Sequence, residues 1–476
     1  MRKYGIILCF FLVTRIVADK PNVLFIAVDD LNDWIGCLGG HPQAKTPNID
    51  RLARRGVLFE QAYCAAPACN PSRAALMTGI RPSTSGIYHN SNPWRQSPVL
   101  KDAVTIPQYF SAQGYVSKGA GKIYHGRFPD PASWDVYWPS KKKPRPNDPL
   151  PKGRPLAGVS NTHFDWGPVD VPDKKMGDNQ VVDWAIEQLG QTHAKPLFLA
   201  CGIFRPHLPW YVPPKYFKPF PLDEIILPKV PDDDLDDIPA AGKRMAREAG
   251  DHRSVLGKGQ WKTAVQAYLA SIYYADTQVG RLLDALDASP HRDNTIICFW
   301  TDHGWHLGEK KHWRKFSLWE ESARTPLIFV APGVTRPGQR CDQPVNLLDI
   351  YPTLNALCGL PDKKGLEGNN LLPLLKNVEA PFHPVSVTTH GKDNHGIRSK
   401  HFRLIHYADG SEELYDHRKD SGEWTNLAAN PEYAAMVERM RKWLPKVNVP
   451  EMDKADTKGN KGKKVRRVGP REDQAH

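Results

Sequence analysis

The chain has 476 residues, 40% of them hydrophobic, with 14 Trp and 16 Phe and a formal charge of +12. That length exceeds one typical domain and the apolar content can fill a large core, which excludes a disordered or fibrous chain. Part of the positive excess lies in residues 451–476, where "KGNKGKKVRRVGPRED" has no apolar periodicity. Such a run reads as a solvated, disordered tail, so the net charge gives no ground for a nucleic-acid partner.

In chain order, residues 1–18 come first: Arg2 and Lys3, an apolar run from Ile6 to Val13, then the small Ala18. This is the anatomy of a signal peptide, with an apolar run too short to span a membrane. Export is expected, to the periplasm or the medium if the source is bacterial, with no transmembrane segment. Seven cysteines remain beyond it, and their spacing marks neither a disulfide framework nor a zinc site.

"NVLFIAVDD" then gives a continuous apolar run that ends in Asp29 and Asp30. "PLFLACGIFRPHLPW" repeats the pattern and ends near Arg205 and His207, and "NTIICFWTDHG" ends in Asp302 and His303. Continuous runs of this kind predict strands buried on both faces, hence a mostly parallel sheet between helices. "DNQVVDWAIEQLG" (178–190) and "WKTAVQAYLASIYYADTQVGRLLDALDAS" (261–289) supply helical spacing. The class is α/β, and such sheets bind ligands at the carboxyl ends of their strands, where all three polar clusters fall. A lone Asp there is most often a helix cap, but adjacent carboxylates repel unless a cation lies between them. Asp29, Asp30, Asp302 and His303 therefore form a candidate divalent-metal site, and oxygen-rich ligands favour Ca²⁺ or Mg²⁺.

"CNPSRAALMTG" (69–79) places Cys69 at the mouth of a predicted helix, with Pro71 in its first turn. The free N–H groups and the helix dipole predict a lowered thiol pKa there, with Arg73 placed to help hold a tetrahedral anion. The bland alternative is a small buried cysteine.

Together these motifs resemble the type I sulfatases. Cys69-x-Pro71-Ser72-Arg73 followed by Thr78-Gly79 matches that family's signature, and "GKIYHG" (121–126), "RPHLP" (205–209) and "DHGWHLGEKKHWRKFS" (302–317) follow in its order. The two residues between Lys122 and His125, with "FDWGPVDVPD", "DTQVGRLLDALD" and "VNLLDIYPTL", are similar to the iduronate-2-sulfatase branch. The resemblance implies the alkaline-phosphatase-like fold and a large mixed, mostly parallel sheet between helices, plus a small C-terminal antiparallel sheet with a helix. It also implies a catalytic domain over 19–380 and a small subdomain over 381–450.

By the same resemblance, Cys69 is oxidised to Cα-formylglycine by a formylglycine-generating or anaerobic sulfatase-maturating enzyme. The aldehyde hydrates to a diol nucleophile. Asp29, Asp30, Cys69, Asp302 and His303 are expected to hold one Ca²⁺, and Arg73 to steady the hydrate. Lys122 and Lys315 are expected on the sulfate oxygens, although Lys315 sits in a basic run that also reads as solvated surface. His125 is expected to take a proton from the second hydroxyl and His207 to protonate the leaving sugar oxygen. Arg205, Trp305 and His306 are candidates for recognising the sugar, and His89, Asn90 and Trp94 for lining the same mouth. Cys64 lacks the Pro-Ser-Arg that follows Cys69 and is not expected to be modified.

The expected substrate is an O-sulfated carbohydrate, with a 2-O-sulfated uronate of a glycosaminoglycan or similar polysaccharide in front. A phosphodiesterase or phosphonate hydrolase on the same fold is the enzymatic alternative. A non-turning-over sulfated-glycan-binding protein is the other, should Cys69 stay a thiol. Beyond "NLLDIYPTLNALCGLP", the segments "PVSVTTH", "GIRSKHFRLIHYA" and "EELYDHRKD" predict short strands, and "PEYAAMVERMRKWLPKV" (431–447) a closing helix.

Overall fold

Asn22–Val28, Leu197–Ile203 and Thr295–Thr301 run as neighbouring parallel strands at the centre of an eight-stranded sheet. This is seen in a computed structural model that describes residues 20–382 and 385–453. Across the sheet the order is Gln339–Cys341, Val57–Phe59, Leu327–Val330, Thr295–Thr301, Asn22–Val28, Leu197–Ile203, Val116–Gly121 and Val136–Trp138. Only Leu327–Val330 runs antiparallel to its neighbours.

The apolar runs are continuous because both faces of the sheet are covered. Leu24, Ile26 and Val28 point into one core with the helices Gly177–Leu189 and Trp261–Asp287. Val23, Phe25 and Ala27, one residue out of phase, point into a second core with Cys69–Thr78, Ile106–Ala112 and Ile350–Leu357.

The smaller antiparallel sheet joins Val385–Thr389, His395–Ser399, Phe402–His406 and Glu412–Asp416 in chain order. Val437 and Met440 of the helix Ala434–Arg441 close one face of it. That helix is shorter than the sequence predicts. Residues 431–433 form a 3₁₀ turn, and Pro445 stands just past the end, where it disfavours helical continuation.

Residues 1–18 and 454–476 lie outside the described residues. Glu451 and Met452, which the sequence assigns to the solvated tail, are instead tied to the large domain. Met452 N–H donates to Gly86 O at 2.9 Å, and the Asn92 side-chain amide donates to Met452 O at 2.7 Å and Glu451 Oε1 at 3.2 Å. Among the described residues, no helix is long and apolar enough to cross a membrane.

Candidate active site

Successive residues of a strand point to opposite faces, so Asp29 and Asp30 cannot both serve one site while the strand continues. The chain resolves this at Asp30, which adopts a left-handed φ of 57°. Asp29 still pairs in the ladder, its N–H donating to Ile203 O at 3.1 Å. The kink is held by Tyr268, whose hydroxyl donates to Asp30 O at 2.8 Å, and by Asp302 Oδ1, which accepts from Asp30 N–H at 3.2 Å. A non-glycine residue in that conformation is a mark of functional sites.

The helix Cys69–Thr78 brings Cys69 to these carboxylates. All ten of its residues are buried, and it stops at Gly79, whose φ of 73° closes the last turn. Asn90 Oδ1 accepts from Asn70 N–H at 2.9 Å, satisfying one of the open amides at the helix start. Arg73, one turn in, has no solvent exposure and bridges Asp29 Oδ1 and Asp302 Oδ2 at 2.8 Å each. Its remaining Nη1 hydrogens go to the Lys122 and Ile123 carbonyls at 2.6 and 2.9 Å. Arg73 thus locks three strand ends to one helix.

Two ammonium groups converge on Cys69. Lys122 pairs with Asp29 Oδ2 and stands 3.8 Å from Cys69 Sγ. Its backbone crosses Gly202 so closely that a Cβ there would lie 2.5 Å from Lys122 N, which explains the glycine. Lys315 donates to Asp30 Oδ1 at 2.7 Å and stands 3.1 Å from Cys69 Sγ. The run around Lys315 is not solvated surface. Left-handed φ values at Lys310, Lys311, Arg314 and Phe316 fold it inward, and Lys315 is only 5% exposed.

His303 is buried, and its Nδ1 lies 3.0 Å from Gly304 O. A carbonyl only accepts, so Nδ1 carries the hydrogen and Nε2 presents a lone pair. That lone pair faces Cys69 Sγ, Asp30 Oδ1 and Asp302 Oδ2, each at 3.4 Å. Asp30, Cys69, Asp302 and His303 offer one ligand atom apiece within 4.8 Å of one another. An acceptor-rich nest of this kind, with two carboxylate oxygens and an imidazole lone pair, fits a hard divalent cation. Burial and the Asp29 charge push the Asp30 carboxyl up to about 7, even against Lys315. Asp29 is buried too, yet Lys122, His207 and Arg73 hold it well below the usual carboxylate range. Divalent-cation removal by chelation is expected to lower Tm, and added Ca²⁺ to restore it in a concentration-dependent way. At a hundredfold excess over Kd the gain is about 2.7 kcal/mol. A Tm indifferent to both treatments would mean that no divalent cation is held there.

The expected lowering of the Cys69 thiol pKa is reversed. The side chain is 1% exposed, and burial pushes the thiol up although Lys122 and Lys315 oppose it. Helix-end and side-chain charges do not outweigh desolvation here.

Beside Cys69 a cavity of about 650 Å³ opens, lined by Lys122, His125, Arg205 and His207 and, further out, Arg127, Lys143 and Arg145. His207 Nδ1 lies 2.6 Å from Leu208 O, so Nε2 faces the site, 3.8 Å from Asp30 Oδ2. Burial, then Lys122, holds its pKa well below the ordinary histidine value. Arg205 is 1% exposed; Nη2 pairs with Asp148 at 3.2 Å, and the buried Nη1 has no hydrogen-bond partner.

Three residues expected near the sugar are elsewhere. Trp305 is 1% exposed and packs in the core under Lys315, whose Nζ lies 5.1 Å from the ring centroid. His306 is fully buried, with Glu309 O and Ser317 Oγ against its two nitrogens. Trp94 is buried against Tyr124. Each follows a correct reading of the local chain, but tertiary packing turns the side chain inward. Asp148, Arg145 and the Asp178 carboxylate that accepts from Phe204 and Arg205 N–H were not foreseen. The one signal for this wall was the basic, Pro-rich run "KKKPRPNDP".

A sulfatase family profile matches residues 21–360, and one for the C-terminal region of N-sulphoglucosamine sulphohydrolase matches 308–449. A sulfatase of Formosa agariphila is 40% identical over 455 residues, covering 90% of this chain and 87% of that one. Iduronate 2-sulfatase of Homo sapiens is 34% identical over 387 residues, covering 72% and 70%. A solved 2-O GAG sulfatase superposes with a TM-score of 0.69 at 24% identity, over 89% of this chain and 91% of that one, a likeness of fold. Strand ends converging on Cys69, family profile and relatives agree: the chain is an enzyme of the sulfatase family.

Proposed function

We propose that this sulfatase removes a sulfate ester from a sugar, with the 2-O-sulfate of a uronate in a glycosaminoglycan-like polysaccharide as the substrate. The observation that carries the reading is Arg205. A buried guanidinium with one unpartnered nitrogen, on the wall of the cavity beside Cys69, calls for an anionic partner such as a sugar carboxylate. The names of the relatives support the same sugar: iduronate 2-sulfatase, and a 2-O GAG sulfatase.

In this proposal Cys69 is converted to formylglycine during maturation, and its hydrate supplies the nucleophilic hydroxyl. Asp29, Asp30, Asp302, His303 and the modified residue would hold Ca²⁺, which would supply Lewis-acid polarisation of the sulfate. Lys122 and Lys315 bind the sulfate oxygens that gain charge as the S–O bond breaks. Arg73 keeps Asp29 and Asp302 oriented. His207, whose depressed pKa the anionic sulfate ester raises, protonates the leaving sugar oxygen through Nε2. His125, on the same wall, takes a proton from the second hydroxyl, so that the aldehyde re-forms and sulfate leaves.

The test gives the matured enzyme three probes and reads sulfate release from the two sulfated sugars by ion chromatography and liberated alcohol from the phosphonate by liquid chromatography. The probes are a 2-O-sulfated heparin disaccharide, a 6-O-sulfated glucosamine and a phosphonate monoester. Release from the first alone is expected. Turnover of the glucosamine sulfate in its place overturns the sugar assignment, and faster turnover of the phosphonate overturns the ester class.

A further inference from the structure

The wall that carries Arg145 and Lys143 continues out of the cavity as residues 139–154, "PSKKKPRPNDPLPKGR". Its sole carboxylate, Asp148, is already engaged by Arg145 at 3.0 Å and Arg205 at 3.2 Å. Lys141, Lys142, Lys143, Lys152 and Arg154 are exposed, as is Arg127 across the opening. Among the described residues none of these six has a carboxylate within ion-pair distance, whereas Arg145 is paired. Arg145 is also stacked 3.6 Å over the Phe204 ring, which fixes the wall to the strand end behind it.

From this we infer that residues 139–154, with Arg127, form a cationic rim holding further anionic units of a polyanionic saccharide chain whose reacting sugar occupies the cavity. The inference rests on the sulfatase reading of that cavity. One sulfated sugar needs the cations at the inner end, Lys122, Lys315 and Arg205. The exposed series outside is surplus to that task and keeps the same sign as it leaves the site. Prolines 139, 144, 146, 149 and 151 restrict the backbone. Less freedom is then lost when a chain binds, so the lysines act as a preformed track. Each anion they neutralise releases counterions, which makes the contribution depend on salt.

The test uses the Cys69→Ala protein, which binds without turnover, and a second form that adds K141A, K142A, K152A and R154A. All four positions are exposed and lie outside the catalytic machinery. Calorimetry measures a heparin hexasaccharide and a 2-O-sulfated heparin disaccharide between about 50 and 200 mM salt, a range over which such contacts weaken strongly. With the rim intact, the hexasaccharide is expected to bind at least ~10-fold tighter, a difference of about 1.4 kcal/mol. The quadruple change is expected to erase that preference, lower the hexasaccharide's salt slope by roughly 3, and leave the disaccharide unaltered. No length preference, or equal losses on both probes, overturns the inference. Its failure is separable from failure of the sugar assignment, which is read by sulfate release from the disaccharide with the rim intact.

Discussion

Replacing Cys69 by Ala is expected to abolish sulfate release, with a loss on the order of 10⁵–10⁶ in kcat, the scale at which an enzyme loses its nucleophile. The fold is expected to survive. Ala suits a helix start, and the hydrogen-bonding partners of the atom removed are Asp30, Lys122, His303 and Lys315. The stronger form of the experiment keeps the wild-type chain. Burial pushes the unconverted thiol away from the thiolate form, so a chain with the original Cys69 should be as inactive as the alanine variant. Conversion to the aldehyde lowers the peptide mass by about 18 Da, a change unlike the mass gains of sulfenic-type oxidation. Activity plotted against the aldehyde fraction across several preparations should therefore fall on a line through the origin. A substantial intercept at zero aldehyde means that another group attacks, and the mechanism proposed above is wrong.

Arg73→Met should unfold the centre of the molecule rather than merely slow it. The guanidinium holds Asp29 and Asp302 where no water reaches, and it also satisfies the carbonyls of Lys122 and Ile123. Methionine fills a comparable volume but leaves the Asp302 carboxylate without its bridging cation. Breaking a buried pair from one side costs about 3–5 kcal/mol. Asp29 retains Lys122, so most of that cost falls on Asp302. Arg73→Lys should be intermediate, because one ammonium cannot bridge two carboxylates and two carbonyls. Thermal unfolding of the three proteins, with and without Ca²⁺, gives the order wild type, lysine, methionine. A methionine variant that melts with the wild type would mean that Arg73 is not structural, and that its role lies in the reaction alone.

Much of this arrangement is legible in the chain itself. The three apolar runs end at their ligands because a strand buried on both faces has to be apolar until it emerges, and the emergence point is where polar residues begin. The helix that carries Cys69 is announced by Pro71 and closed by Gly79. Other features were hidden for identifiable reasons. The inward turn of Lys315 depends on left-handed conformations at Lys310, Lys311, Arg314 and Phe316, none of them glycine, so composition gives no hint of it. Trp305 and His306 follow a strand end, where exposure is the usual outcome. Here the long helix Trp261–Asp287 covers that end, and Trp210 packs against Trp305. The Asp148–Arg205 pair joins two loops with no periodicity to read.

The stitching of Val449, Glu451 and Met452 to residues 83–92 sets a deadline in the life of the chain. Asn92 ties that late segment to the loop whose neighbour Asn90 caps the Cys69 helix. The pocket around Cys69 therefore cannot be completed until residues 449–452 have been made. Once it closes, the side chain is 1% exposed, and no second protein can reach its Cβ. With Cys69 converted as proposed, maturation and folding would run as a race on each newly made molecule. A host that folds the chain faster than it oxidises the cysteine accumulates well-ordered protein that stays inert, and slower folding at low temperature should raise the active share.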